Sequence, residues 1–343
     1  MTQNRLCILG CGNLGTPILT GLLNSPNPTQ FTHYTACISS AASESRLNTL
    51  FAAHIATGKL SIARSTPSIA DAIQHSSVIL LAVDPSQVTS LLLAVDPSQV
   101  TSLLLSSPSI ASAFHLPPPN DSTEKGKLVI SVIAGLSTTS LSSLLSPTPS
   151  PSQSTNASIP TPEHELHILR ALPTIHAQIS HSHTAIQLPP SPSDPPFPPT
   201  HLETATSLFS AIGTTTLVHE HHMAATTAVS GSTPAFWAVI VDAMVDAAVA
   251  VGLPRGMAQE QVYRSMAGSA AMFLAGWKTG EVRDMGTSPE GCTIGGIMVL
   301  EEMGVRGAVG RAVRESVTIA REMGREQDRG QGGGRHVNDT RRV

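Results

Sequence analysis

The sequence predicts an α/β fold, in which an N-terminal parallel sheet alternates with helices and the C-terminal region is helical. Short aliphatic runs without polar alternation, such as Leu6–Leu9 and Val78–Val83, are typical of strands covered on both faces. Stretches with helical spacing of apolar residues separate these runs, and helical spacing dominates from His201 onward. Alternating strands and helices of these lengths favour right-handed crossovers in an open parallel sheet.

Composition excludes several functional classes. The 343-residue chain has room for about two domains, and its 20 Lys and Arg against 24 Asp and Glu give no general attraction to nucleic acid. Four cysteines, Cys7, Cys11, Cys37 and Cys292, have the spacing of neither a zinc site nor a redox pair, so we expect reduced thiols and no metal. We recognise no leader sequence and no uninterrupted apolar run of about twenty residues, so we expect a cytoplasmic protein without a membrane segment.

Six strands are predicted before the helical region. The first ends at Gly10, and apolar residues at helical spacing predict a helix over Asn13–Leu23. The others are predicted at His33–Ile38, Leu60–Ala63, Val78–Val83, Lys127–Ile133 and in the segment HELHILRALP, where the strand ends at Arg170. Further along, Phe236–Val251 is apolar on most faces, which suits a helix buried between other helices.

Two proline- and serine-rich stretches interrupt this pattern, at about residues 146–162 and 189–199. Such segments cannot bury enough apolar surface to offset the entropy of ordering, so we expect surface insertions. We therefore predict a sheet domain at 1–218, a helical domain at 219–325 and a disordered tail at 326–343.

One segment is repeated without change: LLAVDPSQVTSL occurs at Leu80–Leu91 and again at Leu92–Leu103. Two copies of so short a unit do not make a repeat fold. We interpret them as a local tandem duplication or an artefact of gene prediction, and it stays open which copy completes the strand.

A glycine pattern between the first strand and the first helix predicts a dinucleotide-binding turn. Gly10 permits the tight turn, Gly12 lets a pyrophosphate approach the backbone, and Gly15 lets helix and strand pack closely. At the end of the second strand, Ser39 and Ser40 stand where an NAD enzyme usually has a carboxylate. This favours NADPH over NADH as the cofactor, with NADH still possible; alternatively, the serines only cap the next helix.

Two further segments suggest a substrate site. Ser230–Phe236 places small residues and Pro234 at the predicted start of a long helix, and Thr287–Gly296 places Cys292 and Thr293 at the start of another. Exposed amides at a helix start can receive a carboxylate, although both segments are also compatible with ordinary capped loops. We interpret His219–His222 as a solvated loop, because adjacent histidines point in different directions. Arg170 meets either the cofactor or a surface carboxylate.

Together these segments resemble the pyrroline-5-carboxylate reductase family. The matching motifs are ILGCGNLG, LLAVDPSQV, VISVIAGLS, LRALP, TTAVSGSTPAF, VGLPRGMA and TSPEGCTIGG, in order and at similar spacing. The resemblance implies an N-terminal Rossmann-type, NADP-binding domain and a C-terminal all-α domain that dimerises and completes the active site. It also implies NADPH-dependent reduction of the C=N bond of 1-pyrroline-5-carboxylate to L-proline by a homodimer, or by a higher oligomer built from dimers.

The resemblance assigns site residues by motif. Thr293 and Thr227 would act at the imine nitrogen. The substrate would be held by Ser232, Ser288, Gly291 and Cys292. The cofactor would be held by Gly10, Gly12, Asn13, Leu14, Gly15, Ser39, Ser40, Ala82, Val83, Pro85, Ala134, Gly135 and Pro173.

Several positions depart from the family pattern: Asp84, and Asp96 in the second copy, replace a lysine, Thr174 replaces an asparagine, Phe236 replaces a tyrosine, and Thr233 and Glu290 replace glycines. A carboxylate near the cofactor channel and the loss of flexible glycines leave two alternatives open. One is a paralogous reductase that acts on methylated pyrroline carboxylates or on piperideine carboxylates. The other is a catalytically inactive NADP-binding paralogue.

Overall fold

A computed structural model describes residues 4–27, 29–83, 108–116, 126–145, 166–189 and 197–329. The chain divides into two compact units. The first extends to Thr227 and resumes at Thr318, and the second is Ala228–Val317. The predicted insertion at 146–162, most of the repeated segment with Asp84 and Pro85, and the tail from residue 330 lie outside the described residues.

The described residues of the first unit form an eight-stranded sheet in the order β3-β2-β1-β4-β5-β6-β7-β8. All neighbouring strands are parallel except β6 and β7, which are antiparallel. The order reverses between β1 and β4, as in doubly wound α/β folds. The strands are β1 Arg5–Leu9, β2 His33–Cys37, β3 Leu60–Ala63, β4 Val78–Leu81, β5 Lys127–Ser131, β6 Leu166–Leu172, β7 Ser182–Gln187 and β8 Gly213–Val218.

Helices pack on both faces of this sheet and bury two apolar clusters. Ile18 and Phe209 belong to the cluster on one face, and Ile73 and Phe114 to the other. The helices of the first unit are α1 Gly15–Asn24, α2 Ala41–Leu50, α3 Ala52–Ala56, α4 Thr66–Gln74, α5 Pro108–His115, α6 Thr138–Leu145, α7 Pro199–Ser210 and α8 Met223–Thr226, with short 3₁₀ turns at Ile175–Ile179 and Glu220–His222.

A buried lysine joins two of these helices to the sheet. Lys127 is fully buried at the start of β5, and its Nζ donates hydrogen bonds to the carbonyl oxygens of Ile73 (3.0 Å) and Ala113 (2.8 Å). These carbonyls lie in the last turns of α4 and α5, where a cation is favourable. Burial lowers the pKa of Lys127 to about 8.

The six predicted strands are confirmed, but two more were missed. The prediction of helical structure from His201 onward is wrong at β8, which follows α7 directly. Its sequence GTTTLV is rich in threonine, and its burial alternates between half-buried and exposed at the edge of the sheet. Helix α7 also begins at Pro199, inside the predicted insertion at 189–199.

The second unit is helical, with a π-helical turn at Thr227–Ser232 leading into it. Its helices are α9 Thr233–Ala250, α10 Arg255–Leu274, α11 Thr279–Met285 and α12 Cys292–Glu302; α13 Val305–Arg329 begins in this unit. Helix α13 extends four residues into the predicted disordered tail at 326–343.

The long apolar helix α9 is largely exposed to solvent within the part of the chain that the structure describes, so its predicted burial between other helices is not seen there. Val245 is its buried residue, whereas Val239 is 71% exposed and Trp237 51% exposed. The continuous helical stretch Glu220–Ala250 is long and apolar enough to cross a membrane by length and composition, a test that core helices of soluble proteins also pass. Among the described residues, most side chains of α9 are not covered.

Candidate functional site

A cavity of ≈ 380 Å³ lies at the carboxyl ends of β1, β2, β4 and β5, beside the point where the strand order reverses. Ligands of doubly wound folds bind at this position. Most of the predicted cofactor residues lie here, together with several that were not predicted. The lining residues are Gly10, Cys11, Gly12, Asn13, Leu14, Ile38, Ser39, Ser43, Ala82, Val83, Val132, Ile133 and Ala134.

Each of the three glycines in the turn has a different structural role. Gly10 has a φ of 93°, and a Cβ there would lie 2.7 Å from the carbonyl oxygen of Ala82. A Cβ on Gly15 would lie 2.0 Å from the carbonyl oxygen of Gly10, so this glycine lets α1 pack against the turn. A Cβ on Gly12 would meet none of the described atoms within 4 Å. Gly12 therefore borders open space that a ligand can enter.

The start of α1 offers backbone donors to an anion in this cavity. Leu14 is the N-cap residue and its side chain makes no capping hydrogen bond. The first amides of a helix have no partner within the helix and carry the positive end of the helix dipole. In α1 the amide of Thr16 donates a 3.2 Å hydrogen bond to the carbonyl oxygen of Gly12, so the donors left for an anion are the amides before it. A pyrophosphate placed against Gly12 would face these amides, so the residues present fit a dinucleotide.

Arg46, on α2, holds the turn in place. Its Nη2 donates a hydrogen bond of 2.6 Å to the carbonyl oxygen of Cys11, and its Nη1 donates to Oγ1 of Thr16 at 3.3 Å. Burial raises the pKa of the Cys11 thiol to about 12, with a smaller contribution from Cys37. Cys11 therefore stays a protonated thiol and contributes packing and its carbonyl oxygen.

The two predicted serines after β2 have different roles in the structure. Ser39 lines the cavity, whereas Ser40 is the N-cap of α2, where its Oγ accepts a 3.1 Å hydrogen bond from the amide of Ser43. Ser43 lines the cavity from the first turn of that helix. The alternative interpretation, in which the serine only caps the next helix, is therefore correct for Ser40. Ser43, which was not predicted, lies three residues after this cap.

Other predicted cofactor residues lie beside the cavity or outside the described chain. Gly135, with a φ of 77°, directly follows the lining residue Ala134, and Pro173 directly follows β6. Pro85 lies outside the described residues. The missed lining residues Ile38, Val132 and Ile133 follow strand ends, a position that predicts them once the strands are known.

In the second unit, three of the predicted substrate-binding residues and the predicted catalytic residue Thr293 lie at the start of α12. Gly291 is its N-cap residue, and its amide donates a 3.0 Å hydrogen bond to the carbonyl oxygen of Ser288. A Cβ at Gly291 would lie 2.5 Å from Oγ of Ser288, so a side chain there would displace the Ser288 hydroxyl from its present position. Cys292 and Thr293, both exposed, begin the helix. The turn thus brings the Ser288 and Thr293 hydroxyl groups close to the first amides of α12, of which the Gly291 amide is already bonded to Ser288.

The prediction of a helix start with exposed amides at Ser230–Phe236 is wrong. Helical structure is continuous there, because the π-helical turn Thr227–Ser232 leads directly into α9. A proline inside an α-helix clashes with the carbonyl four residues earlier, and the wider turn before Pro234 avoids this clash. Thr227 and Thr233 donate their hydroxyl hydrogens to the carbonyl oxygens of Met223 (2.9 Å) and Val229 (3.0 Å).

Two other segments do not line the cavity beside the glycine turn. His221 stacks with His219 and His222, with ring centroids 5.6 Å and 3.9 Å apart, and the described residues contain no group of three potential metal ligands. Arg170 is buried, and its Nη1 donates to Oε1 of Gln187 at 3.3 Å. Arg170 is not among the residues that line the cavity described above, and whether it meets the cofactor or a carboxylate stays a prediction.

The strand order, the glycine turn and the cavity beside it define a dinucleotide-binding protein of the Rossmann type. Comparison with known proteins narrows this class. Residues 220–323 match the family described as pyrroline-5-carboxylate reductase dimerisation, and residues 5–109 match NADP oxidoreductase, coenzyme F420-dependent.

Full-length relatives identify the family. Pyrroline-5-carboxylate reductase of Neurospora crassa is 32% identical over 99% of this chain and 97% of its own length. The enzyme of Lophium arboricola is 33% identical over 94% of both chains. The crystal structure of Plasmodium falciparum pyrroline carboxylate reductase with NADP bound has the same fold, with a TM-score of 0.69, 19% identity and coverage of 94% of this chain and 99% of that one. The chain belongs to the pyrroline-5-carboxylate reductase family, and is an oxidoreductase of the class that acts on CH–NH groups with a nicotinamide cofactor.

Proposed function

We propose that this protein reduces the C=N bond of 1-pyrroline-5-carboxylate to give L-proline, with NADPH as its preferred cofactor. The observation that carries the proposal is the open space at Gly12, beside the start of α1, in a chain that aligns with named reductases over nearly its whole length. When bound in this cavity, the nicotinamide cofactor would supply the hydride that reduces the imine carbon.

The chain's own contribution at this cavity is to bind and orient. The amides at the start of α1 face the position of a pyrophosphate, and Gly12 leaves room for its approach. Ser39 and Ser43 offer hydroxyl groups at the end of the cavity next to β2, where Rossmann folds bind the adenosine ribose. The absence of a carboxylate in the sequence CISS favours a phosphorylated ribose there.

The turn before α12 would bind the substrate carboxylate. The amides of Gly291, Cys292 and Thr293 lie at the positive end of the α12 dipole, and the Ser288 hydroxyl is adjacent. The Gly291 amide must exchange its hydrogen bond to the Ser288 carbonyl oxygen to bind the substrate. The Thr293 hydroxyl would donate a hydrogen bond to the imine nitrogen and so favour its protonation. Thr227 and Ser232 would assist, and Thr227 must exchange its present hydrogen bond to Met223 to do so.

Glu290 favours a second candidate function. Its carboxylate directly precedes the amides proposed to hold the substrate, where a negative charge opposes a carboxylate ligand. A substituted pyrroline carboxylate or a six-membered piperideine carboxylate, with more apolar contact area, would tolerate this better. If the protein binds the cofactor but reduces no imine, it is a catalytically inactive paralogue.

We propose that a second copy of the chain covers the exposed apolar side chains of α9. The match of residues 220–323 to a dimerisation domain supports this choice, as does the exposure of Trp237 and Val239. The proposed assembly is a dimer, or a higher oligomer built from dimers, in the cytoplasm. Light scattering of protein purified without detergent should give a mass of at least twice 35.7 kDa, and a monomer would contradict the proposal.

A panel of cyclic imine acids tests the reaction. The purified full-length chain is mixed with NADPH or NADH and with pyrroline-5-carboxylate, a methylated analogue or piperideine carboxylate, and loss of nicotinamide absorbance is followed. The highest kcat/KM is expected for pyrroline-5-carboxylate with NADPH. A higher kcat/KM for another imine would establish the second candidate. No turnover with any imine by folded, cofactor-binding protein would overturn both.

A further inference from the structure

We propose that Arg64 selects the phosphorylated cofactor by binding its 2′-phosphate, and that Glu44 limits the access of Arg64 to that phosphate. The inference rests on the proposed function, because it assigns these residues to the nicotinamide-dinucleotide cavity. Arg64 belongs to none of the sequence motifs that predicted the site. Its position near the cavity follows from the pairing of β2 with β3.

Arg64 is not a lining residue of the cavity, but its backbone adjoins the strand end that forms the ribose end. It is the first residue after β3, which pairs with β2 in parallel register. The amide of Ile38 donates a 3.0 Å hydrogen bond to the carbonyl oxygen of Ala63, the residue before Arg64. Ile38 and Ser39 line the cavity, so the residue before Arg64 is hydrogen-bonded to the cavity wall.

A 2′-phosphate needs a positive charge that the serines do not provide. Ser39 and Ser43 supply neutral hydroxyl groups, and Arg46 is engaged with the carbonyl oxygen of Cys11. Rossmann folds that bind NADP place an arginine near this position, where those that bind NAD place a carboxylate on the ribose hydroxyl. A guanidinium matches phosphate oxygens with paired N–H donors.

In the structure, the guanidinium of Arg64 forms an ion pair with the carboxylate of Glu44. Nε of Arg64 lies 2.7 Å from Oε2 of Glu44, in the first turn of α2, and the two side chains are 48% and 37% exposed. An ion pair at this exposure contributes little to stability, so a doubly charged phosphate can compete for the arginine. The residue next to Glu44 is the lining residue Ser43, so the carboxylate also adds negative charge beside the phosphate position. Glu44 therefore weakens NADPH binding, and has a smaller effect on NADH.

The test compares wild-type protein, Arg64→Met, Glu44→Gln and the double variant. Dissociation constants for NADP⁺ and NAD⁺, NADPH and NADH are measured by fluorescence or calorimetry without imine, and kcat/KM is measured for both reduced cofactors. Arg64→Met should weaken binding of the phosphorylated forms about tenfold or more and change the others less than about twofold. Glu44→Gln should strengthen NADPH binding about two- to fivefold, and this gain should vanish when Arg64 is also replaced.

Arg264→Met is the matched control. Arg264 pairs with Glu260 through Nε at 3.0 Å, with side chains 80% and 65% exposed, and it lies on α10. Removing this ion pair should leave the ratio of NADPH to NADH affinities unchanged. Equal losses for both cofactors, or no loss, in Arg64→Met would overturn the proposal. Because binding is measured without imine, discrimination by Arg64 in a protein that reduces no imine would refute the proposed function and leave this inference standing.

Discussion

The guanidinium of Arg46 is bonded to the carbonyl oxygen of Cys11 inside the glycine turn, at 2.6 Å. The same oxygen accepts a 2.7 Å hydrogen bond from Oγ1 of Thr16, the second residue of α1. Two consecutive βα units are thereby tied together at the point where a pyrophosphate would bind. These hydrogen bonds fix the shape of the turn from within the chain, which lowers the cost of binding a ligand there.

Replacing Arg46 should weaken both cofactors equally. Arg46→Met removes the donors to Cys11 and Thr16 but leaves the ribose end of the cavity unchanged. We expect dissociation constants for NADPH and NADH to rise by a similar factor of about five to twenty, because a hydrogen bond from a charged donor to a part-buried carbonyl is lost. Calorimetric titration measures both. A selective loss of NADPH affinity would show that Arg46 contacts the 2′-phosphate instead.

Two glycine substitutions should separate ligand binding from folding. In Gly12→Ala the new methyl group meets none of the described atoms within 4 Å, so the melting temperature should change little while cofactor binding falls at least about tenfold. In Gly15→Ala the methyl group would lie 2.0 Å from the carbonyl oxygen of Gly10, so the fold itself should be destabilised. Thermal melts and cofactor titrations check both. Normal cofactor affinity in Gly12→Ala would contradict the assigned pyrophosphate position.

Glu290 carries backbone strain that glycine would relieve. Its φ is 61°, in the left-handed region that side chains disfavour. Glu290→Gly should therefore stabilise the turn by about 1 kcal/mol, provided that the extra freedom of glycine in the unfolded chain does not cancel the gain. Glu290→Gln keeps the strain and removes the charge.

The two variants distinguish strain from charge. Both should lower KM for the imine acid if the carboxylate of Glu290 repels the substrate, whereas Glu290→Gly alone should raise the melting temperature. Steady-state kinetics and thermal melts provide the two readouts. An unchanged KM in both variants would place the substrate carboxylate away from this turn.

Acid should destabilise the protein partly through His201. This histidine is 3% exposed, its ring packs edge-on against His167 at 4.8 Å, and its Nδ1 has no hydrogen-bond partner among the described residues. Burial, with a smaller contribution from His167, lowers its pKa to about 4 from 6.5. The unfolded chain therefore binds a proton that the folded chain does not, and stability is lost as pH falls from about 6.5 towards 4.

His201→Phe should reduce that loss. Urea unfolding at about pH 7 and about pH 5 measures the difference in stability for wild type and variant. The wild type should lose more stability than the variant between the two conditions. His183→Phe, on an exposed histidine of β7, is a control with no buried ring. An equal loss in wild type and His201→Phe would contradict the assignment.

Sequence patterns correctly predicted the features that depend on local sequence. The first six strands, the glycine turn and the start of α12 follow from runs of aliphatic residues, glycine spacing and a capped loop. Strand β8 was missed because it is rich in threonine and lies at the sheet edge, and β7 because its sequence SHTAIQ contains no aliphatic run.

Tertiary contacts escaped prediction. Arg46 and Arg64 reach the cavity region through contacts between elements distant in sequence, and no spacing rule encodes such contacts. The division of roles between Ser39 and Ser40 depends on where α2 begins, and helix boundaries are read from sequence only to within a few residues.

The central claim is tested most directly by product analysis. Full-length protein is incubated with NADPH and pyrroline-5-carboxylate, and L-proline is quantified by chiral chromatography alongside the NADPH consumed, with Gly12→Ala as the control. The account predicts one L-proline for each NADPH oxidised, and little or none with the variant. Folded wild-type protein that binds NADPH but forms no proline would contradict it.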